Sequence, residues 1–360
     1  MKEYSVQLNK IKGRGTALNP QNRFERLYTE PELQADEYFD EEERKIQTVY
    51  FRDNTKRMIN KVESPDLGMM FSMNPYRGCE HGCIYCYARP THEYLGFNSG
   101  LDFETKIMVK PDAPELLAME LNKRTWEASP VGMSGDTDCY QPGERKFRIT
   151  RGCLEVFLKF RNPVYIITKN ALVQRDIDLL KELASMNLSH VVMSITSLKP
   201  EITTVMEPRT ARPQRRLDTV SRLRDNGIPV SVNVAPIIPG LTDEEVPSIL
   251  KAAKEAGATS AAMTLVRLPW QNKELFIEWA RREFPDRADK ILNRITDIHG
   301  GKLYNSEYFK RFSGQGKWAE TIKKIFRLNA AKYGLNGGGQ GLSRDHYRRV
   351  KDQTQYGMFG

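Results

Sequence analysis

The chain has 360 residues, 39% of them apolar, which is enough for one large catalytic domain with appendages, and no apolar run approaches the roughly 18 residues of a membrane span. Neither a secretory signal nor a disulfide framework is indicated, since the amino terminus lacks an apolar centre and three of the five cysteines are clustered, so we expect a cytoplasmic protein. The 55 Lys and Arg against 46 Asp and Glu leave a net charge of +9, which is scattered and therefore compatible with a nucleic-acid partner without requiring one.

Composition divides the chain into four parts. Residues 1–60 are polar and poorly periodic and predict an amino-terminal extension. An alternating pattern of strands and helices over 61–284 predicts the core domain, and residues 285–333 predict helices that cap it. Residues 334–360 are Gly-rich and predict a flexible tail. The tail carries a small basic patch of three arginines: Arg344, Arg348 and Arg349.

Strands and helices alternate through the core domain. Apolar runs predict strands at 69–76, 130–136, 163–170, 190–196, 228–240 and 260–268. Helical periodicity predicts helices at 114–126, 147–160, 173–186, 213–226, 242–256 and 273–284. The fifth helix begins with a predicted capping box of Thr242 and Glu245. Because strands that are apolar throughout are typical of a parallel sheet covered by helices, the pattern predicts an α/β fold, a partial (β/α)6 barrel.

Three cysteines lie within eight residues directly after the first predicted strand. Cys79, Cys83 and Cys86 have the spacing C-x3-C-x2-C. Three thiolates from one loop can hold three irons of a [4Fe–4S] cube and leave the fourth iron open, whereas structural clusters normally use four cysteines. The alternative is a structural zinc site, for which His81 or His92 is close enough to supply a fourth ligand.

Further motifs follow these cysteines in a characteristic order. The segment MNPYRGCEHGCIYCYARPTHEYLG is followed by GLDFETK, by a TD-x-YQP-x-E segment at 137–144, by TK and by APIIPGLTD. In this order the motifs are similar to spore-photoproduct-lyase-related radical S-adenosylmethionine (SAM) proteins, in particular an SplB-like branch, over roughly residues 70–270. The resemblance implies a radical SAM barrel in which Cys79, Cys83 and Cys86 ligate a [4Fe–4S] cluster whose open iron binds SAM.

The resemblance also implies where SAM lies. Tyr85 would flank the adenine, and Thr137 and Asp138 would bind the amino group or ribose unless they serve as turn residues. Lys169 and Arg209 are candidates for the SAM carboxylate, although a lone basic residue is more often a surface ion-pair partner. The other candidates stand at strand ends, where they either contact the ribose, methionine or adenine or are structural: Ser194, Thr196, Asn233 and Ala235.

The hydrogen-atom donor is the point at which the resemblance weakens. Spore photoproduct lyase uses an additional cysteine as donor, together with tyrosines beside its cluster. Tyr85 and Tyr87 flank Cys86 in the same way and are candidate catalytic residues. Cys139 is a candidate donor, but it follows Asp138, whereas the donor cysteine of the lyase precedes the equivalent aspartate. A buried cysteine is usually a packing residue, so thymine-dimer repair does not follow from the resemblance.

The motifs together predict a radical SAM enzyme. In such an enzyme the reduced cluster cleaves SAM to a 5′-deoxyadenosyl radical, which abstracts hydrogen from a substrate. A half-barrel is open at its side and admits a large substrate, so nucleic acid is the leading substrate class, and a flavodoxin or ferredoxin is the expected reductant. Two alternatives stay open: a radical SAM enzyme that acts on a peptide or small metabolite, and a zinc-stabilised binding module without catalytic activity.

Overall fold

Short strands build two sheets. The computed structural model describes residues 11–24, 46–68, 70–337 and 341–350. Within these ranges the strands are β1 (Val49–Arg52), β2 (Asn60–Lys61), β3 (Phe71–Met73), β4 (Tyr76–Arg77), β5 (Lys106–Val109), β6 (Val131–Met133), β7 (Val164–Thr168), β8 (Ser189–Ser194), β9 (Val230–Ile237) and β10 (Ser260–Leu265).

Six parallel strands form the body of the main sheet. Its order is β10-β9-β8-β7-β6-β3-β2, and every neighbouring pair is parallel except the antiparallel edge pair of β2 and β3. The second sheet has the order β1-β5-β4. Because the six strands are parallel, their carboxyl ends lie at one edge, which confirms the predicted partial barrel.

Helices follow the parallel strands. They are α1 (Leu101–Thr105), α2 (Ala113–Leu121), α3 (Glu144–Phe147), α4 (Ile149–Phe160), α5 (Ile177–Ser185), α6 (Pro200–Met206), α7 (Pro213–Asp225), α8 (Val246–Glu255), α9 (Asn272–Glu283), α10 (Ala288–Ile298) and α11 (Gly316–Lys332). Three 3-10 segments cover Arg89–Leu95, Ala171–Asp176 and Asp243–Glu245. None of the described helices has both the length and the apolar character to cross a bilayer.

All six predicted helices are present. The one expected over 173–186 starts as a 3-10 segment, so that α5 itself occupies a shorter span. α7 ends just before Gly227, whose φ of +74° glycine adopts readily. α10 and α11 lie in the region predicted as a helical cap, and α11 packs against α8 and β10.

The two faces of the main sheet differ in polarity. On the face that packs against the helices, residues such as Val191 and Val232 are fully buried. The alternate positions of the strands point to the inner face, where the side chains are half-buried and mostly polar: Tyr165, His190, Ser231, Asn233 and Ser260. The expectation of strands apolar on both faces is therefore wrong for the inner face, which lines an open interior instead of a packed one.

The predicted first strand over 69–76 is divided in two. β3 belongs to the main sheet, but β4 leaves it and pairs antiparallel with β5. Pro75 lies between them and has no N–H for a sheet hydrogen bond, so the continuous strand ends there. The cysteine loop therefore emerges from the small sheet, directly beside the carboxyl end of β3.

The predicted capping box at Thr242 does not form. Thr242 Oγ1 accepts a hydrogen bond from Ile238 N (2.9 Å), and no side-chain cap is made there. Glu245 instead accepts hydrogen bonds from Ser197 Oγ (2.7 Å) and Leu198 N (2.8 Å). This buried carboxylate therefore links the loop after β9 to the loop after β8, a long-range role that a local motif does not reveal.

The described end of the tail is docked on the core. Ser343 N donates to Asn187 O (2.9 Å), and Arg348 N donates to Phe160 O (3.0 Å). Tyr347 Oη donates to Leu121 O (2.5 Å). The expectation of a flexible tail is therefore wrong for 341–350, while 338–340 and 351–360 lie outside the described residues.

Candidate metal centre

The three clustered cysteines lie in one buried loop between β4 and the 3-10 segment Arg89–Leu95. Cys79 and Cys83 are buried and Cys86 is half-buried. Two glycines in the left-handed region shape the loop, Gly78 with φ +74° and Gly82 with φ +66°. The backbone turns back on itself, because Cys86 N donates to Cys83 O (3.2 Å). The loop thus presents three thiols close together beside the strand ends.

The three buried thiols are suited to binding a metal group. Burial raises the pKa of the Cys79, Cys83 and Cys86 thiols, and Arg89 partly offsets this for Cys86. A bound metal lowers the pKa of a coordinating thiol, so that buried thiols can ionise when they act as metal ligands. The donor set therefore fits a metal cluster that takes three thiolates.

The two histidines considered as zinc ligands are engaged elsewhere. His81 Nε2 lies 3.1 Å from Asn170 Nδ2, and its Nδ1 lies 3.4 Å from Asp138 Oδ2. His92 Nε2 donates to Lys106 O (2.9 Å). Across the described ranges, no three His, Cys, Asp or Glu side chains are arranged to hold a single metal ion. A zinc ion needs its ligands around one point, whereas an iron–sulfur cube takes each thiolate on a different iron.

A fully buried ion pair between Arg89 and Glu104 stabilises the cysteine loop. Arg89 Nε donates to Cys83 O (3.0 Å), and its Nη2 contacts Glu104 Oε1 (2.5 Å). Glu104 Oε2 in turn accepts from Gly15 N (2.9 Å), so the amino-terminal segment 11–24 reaches the cysteine loop. The sequence shows a charged residue, Arg89, close to the cysteines. It does not show which residues Arg89 contacts, because Glu104 and Gly15 are distant in sequence.

Arg209 is held by the cysteine loop. Its Nη1 lies 3.1 Å from Glu80 Oε2, and its backbone N donates to His81 O (3.2 Å). Tyr50 Oη also donates to Glu80 (2.9 Å). This pairing corresponds to the ion-pair alternative for Arg209.

A buried carboxylate, Glu207, organises the strand ends next to Cys83. Tyr85 Oη donates to Glu207, and Thr196 Oγ1 lies 2.7 Å from Glu207 Oε1 and 3.0 Å from Ala235 O. Arg216, which has no exposed surface, pairs with Glu207 and donates to the carbonyl of a β8 residue. Burial alone would raise the pKa of Glu207, but Arg216 and Lys169 lower it to about 2. Tyr85 and Thr196 are thus fixed by a carboxylate that the sequence motifs did not identify.

Three predicted residues leave polar groups open to the interior. Lys169 Nζ lies 5.8 Å from the centroid of the Tyr85 ring and has no carboxylate partner within the described part of the chain. Ser194 and Asn233 are register partners on the inner face of β8 and β9. Asn233 Oδ1 is buried and has no hydrogen-bond partner. An orphaned buried acceptor and an ammonium group without an ion pair fit a polar, charged ligand such as SAM.

Thr137, Asp138 and Cys139 form a turn. Thr137 Oγ1 donates to Tyr76 O (3.0 Å). Asp138 Oδ2 accepts from Lys169 N (2.7 Å), which holds the end of β7. Cys139 is fully buried in the main core, with its carbonyl accepting from Thr150 Oγ1 (2.6 Å). Thr137 and Asp138 are thus bonded to β4 and to the end of β7, and Cys139 packs in the main core.

Tyr87 stands on the open side of the loop. Its side chain is 43% exposed, and its Oη donates to Gly135 O. The guanidinium of Arg267 lies 4.3 Å from the centroid of the Tyr87 ring. Burial raises the pKa of the neighbouring Asp136 to about 6, although Lys110 favours its charged form. This side of the site is therefore aromatic and carries titratable charge.

Asn272 was not singled out from the sequence. It is fully buried at the start of α9, and its Nδ2 donates to Cys86 O (2.6 Å). Its Oδ1 has no partner among the described residues. A single Asn in a helix start carries no distinctive pattern, so only the fold reveals that it touches the cysteine loop.

Known proteins resemble this chain in sequence and in structure. The radical SAM superfamily model matches residues 73–253. An uncharacterized protein of Mycobacterium tuberculosis is 35% identical over 247 residues, covering 68% of this chain and 72% of the relative. An uncharacterized protein of Methanocaldococcus jannaschii is 31% identical over 190 residues, covering 53% of this chain and 68% of the relative.

Solved structures of spore photoproduct lyase share the fold. One of them, a mutant with bound AdoMet and dinucleoside spore photoproduct, has a TM-score of 0.58 and 15% identity, covering 79% of each chain. At that identity the likeness concerns the fold alone. The sequence match to the superfamily spans about half of the chain and includes all three cysteines. This chain therefore belongs to the radical SAM superfamily of enzymes, a membership that implies a [4Fe–4S] cluster on Cys79, Cys83 and Cys86 together with SAM.

Proposed function

We propose that the chain holds a [4Fe–4S] cluster on Cys79, Cys83 and Cys86 and binds SAM on the polar inner face beside it. The supporting observation is a buried loop with three thiols and no fourth cysteine, since Cys139 and Cys153 are buried in the main core. When bound and reduced, the cluster would supply one electron for the cleavage of SAM to methionine and a 5′-deoxyadenosyl radical.

The residues of the chain would position SAM. Lys169 offers an unpaired ammonium group to the SAM carboxylate. Asn233 Oδ1 would accept a hydrogen bond from the amino group or the ribose of SAM. This bond would satisfy a buried oxygen that has no other hydrogen-bond partner. Tyr85 would lie against the adenine, because Glu207 and Thr196 hold its hydroxyl in place.

We infer that the substrate is a nucleic-acid base. The exposed Tyr87 ring under Arg267 offers a stacking platform with a cation on it, and bases stack on such platforms. The structurally similar lyase was solved with a dinucleoside, which supports this substrate class. A flavodoxin or ferredoxin would deliver the electron. A peptide or small metabolite is the competing substrate class.

Iron binding tests the cofactor assignment. After anaerobic reconstitution, we expect about four irons and four sulfides per chain, and 5′-deoxyadenosine from SAM in the presence of dithionite. Cys86→Ala should lose the iron and the cleavage, whereas the matched control Cys153→Ala, in the core, should keep both. A colourless wild-type chain with about one zinc would contradict the assignment.

Isotope transfer tests the substrate class. DNA and RNA oligonucleotides with deuterated nucleosides are each incubated with the reduced, SAM-loaded enzyme. Deuterium should appear in 5′-deoxyadenosine if the radical abstracts hydrogen from a nucleotide. Transfer only from deuterated peptides or metabolites of a cell extract, with none from either nucleic acid, would establish the competing class instead.

A further inference from the structure

A pocket lined by arginines lies behind the cysteine loop. It has a volume of about 550 Å³ and lies between the 3-10 segment Ala171–Asp176, α3 and α7. Neither the cysteines nor Tyr85 line it, so it is separate from the proposed SAM cavity. Its lining includes six arginines and, among the described residues, no Asp or Glu: Arg145, Arg175, Arg209, Arg212, Arg215 and Arg222.

Four of these guanidinium groups lack a carboxylate. Arg175 pairs with Glu144 (2.6 Å) and Arg209 pairs with Glu80 (3.1 Å). The other four are exposed, and no ion pair joins them to any residue in the described part of the chain: Arg145, Arg212, Arg215 and Arg222. Like charges converging on one pocket repel each other, so an anionic ligand would stabilise this arrangement.

Arginines of the pocket follow the axis of α7. Arg215 and Arg222 are seven residues apart on α7, a spacing that places side chains on one face of a helix, and Arg212 directly precedes the helix. At 1.5 Å per residue, Arg215 and Arg222 lie about 10 Å apart along the helix axis. A single phosphate is much shorter than this, whereas a nucleic-acid strand places a phosphate every ~3.4 Å along a helix axis.

The pocket shares a wall with the cysteine loop. Asn170, which lines the pocket, contacts His81 of the loop through their side chains (3.1 Å). Ala211 N donates to Lys169 O (3.2 Å), so the residue proposed for the SAM carboxylate lies directly before the pocket wall. A strand anchored here would therefore pass close to the proposed reaction site.

We propose that this pocket binds the phosphodiester backbone of a nucleic-acid strand. Guanidinium forks match phosphate oxygens, and a row of forks without carboxylate partners suits a ligand with repeated charges. Of these forks, Arg212 donates to Thr204 Oγ1, which leaves its other N–H groups for a ligand. The inference deepens the proposed action on nucleic acid and rests on it, naming the surface that would hold the strand while its base reaches the cluster side.

Binding of labelled single-stranded oligonucleotides to the SAM-loaded holoenzyme tests the pocket. The variant Arg215→Gln/Arg222→Gln is compared with Arg281→Gln/Arg327→Gln, which removes two exposed arginines from α9 and α11 and so changes the net charge equally. We expect the pocket variant to bind roughly 10- to 30-fold more weakly at 0.1 M salt, with a salt slope smaller by about 1.4. The control should bind like the wild type.

Three results would overturn the proposal. One is equal loss of binding in the two double variants, which would indicate diffuse surface charge. The second is that inorganic phosphate displaces the labelled oligonucleotide as effectively, per phosphate group, as unlabelled oligonucleotide does. The third is that an acidic peptide displaces it as effectively as unlabelled oligonucleotide does. SAM cleavage by the wild type without nucleic acid is measured separately, so failure of the radical chemistry is distinguishable from failure of the pocket.

Discussion

Glu207 has an unusual position for a carboxylate. It has almost no exposed surface, yet it contacts Tyr85, Thr196 and Arg216, which come from the cysteine loop, the end of β8 and α7. Burying a charge is unfavourable unless it is paired and hydrogen-bonded, and here both conditions are met. Glu207 therefore acts as a structural centre for the side chains proposed to surround SAM.

Replacing Glu207 by glutamine should leave Arg216 buried and uncompensated. We expect Glu207→Gln to lower the free energy of unfolding by about 3 kcal/mol, measured by anaerobic urea denaturation. The double variant Glu207→Gln/Arg216→Gln should be more stable than Glu207→Gln, because the uncompensated charge is then gone. If the double variant loses at least the sum of the two single losses, the buried pair does not account for the stability.

Single residues were predictable where the chemistry is local in sequence. The three cysteines were recognised because their spacing is itself the pattern. Lys169 and Asn233 were selected because they stand at strand ends, and their roles stay predictions. Glu207 and Arg216 were missed, since neither lies in a motif and their importance depends on burial. Arg209 was a candidate, but its partner Glu80 could not be identified because it is far away in sequence.

Segment 11–24 contacts the cysteine loop at two glycines, where neither backbone carries a side chain. A Cβ added to Gly15 would lie 1.8 Å from Gly82 O, and one added to Gly82 would lie 2.7 Å from a Glu104 carboxylate oxygen. Two glycines are therefore required for the segment to lie on the loop. The amino-terminal extension, which the sequence presented as a polar appendage, contributes in this part to the environment of the cysteines.

The variant Gly15→Ala should separate the segment from the loop. We expect less iron per chain after reconstitution and a lower unfolding midpoint, because the backbone contact cannot form with a Cβ present. Gly68→Ala is a matched control, since its Cβ would have no neighbour within 4 Å. Full iron content in Gly15→Ala would show that the contact does not support the loop.

Elements were predictable in proportion to their length. The six helices of the core were found because apolar positions repeat over two or more turns. β4 has two residues and β1 has four, so no period marks them, and the small sheet that carries the cysteine loop was missed. The polar inner face was also missed, because alternation within three- to six-residue strands is easily read as a continuous apolar run.

Across the whole molecule, the docked segment 341–350 joins helix ends that lie far apart in the chain. Arg348 Nε donates to Lys159 O (3.0 Å) at the end of α4, and Arg349 Nη2 donates to Arg124 O (3.0 Å) beyond α2. Carbonyls at helix carboxyl ends lack partners within the helix and attract cations. Arg348 of the predicted basic patch therefore caps α4, while Arg349 holds the segment to the loop after α2.

Removing the backbone contacts of Arg348 and Arg349 should destabilise the fold modestly. We expect Arg348→Gln/Arg349→Gln to lower the free energy of unfolding by about 1 kcal/mol. Arg344→Gln, which changes an exposed arginine of the same segment that makes no side-chain contact among the described residues, should have no measurable effect. Equal losses in both variants, measured by urea denaturation, would show that charge and not capping is responsible.

The contact between Gly15 and Gly82 also separates two boundaries that are easily confused. The recognisable family pattern begins at residue 73, but the surroundings of the cysteine loop begin some sixty residues earlier in the chain. A fragment cut at the start of the recognisable pattern would retain every cysteine and the parallel strands β6 to β10, and would lose β1 and most of β3. It would lack the backbone at Gly15 that lies on the cysteine loop and the N–H of Gly15 that donates to Glu104. The part of the chain that identifies the enzyme is therefore smaller than the part that surrounds its cysteine loop.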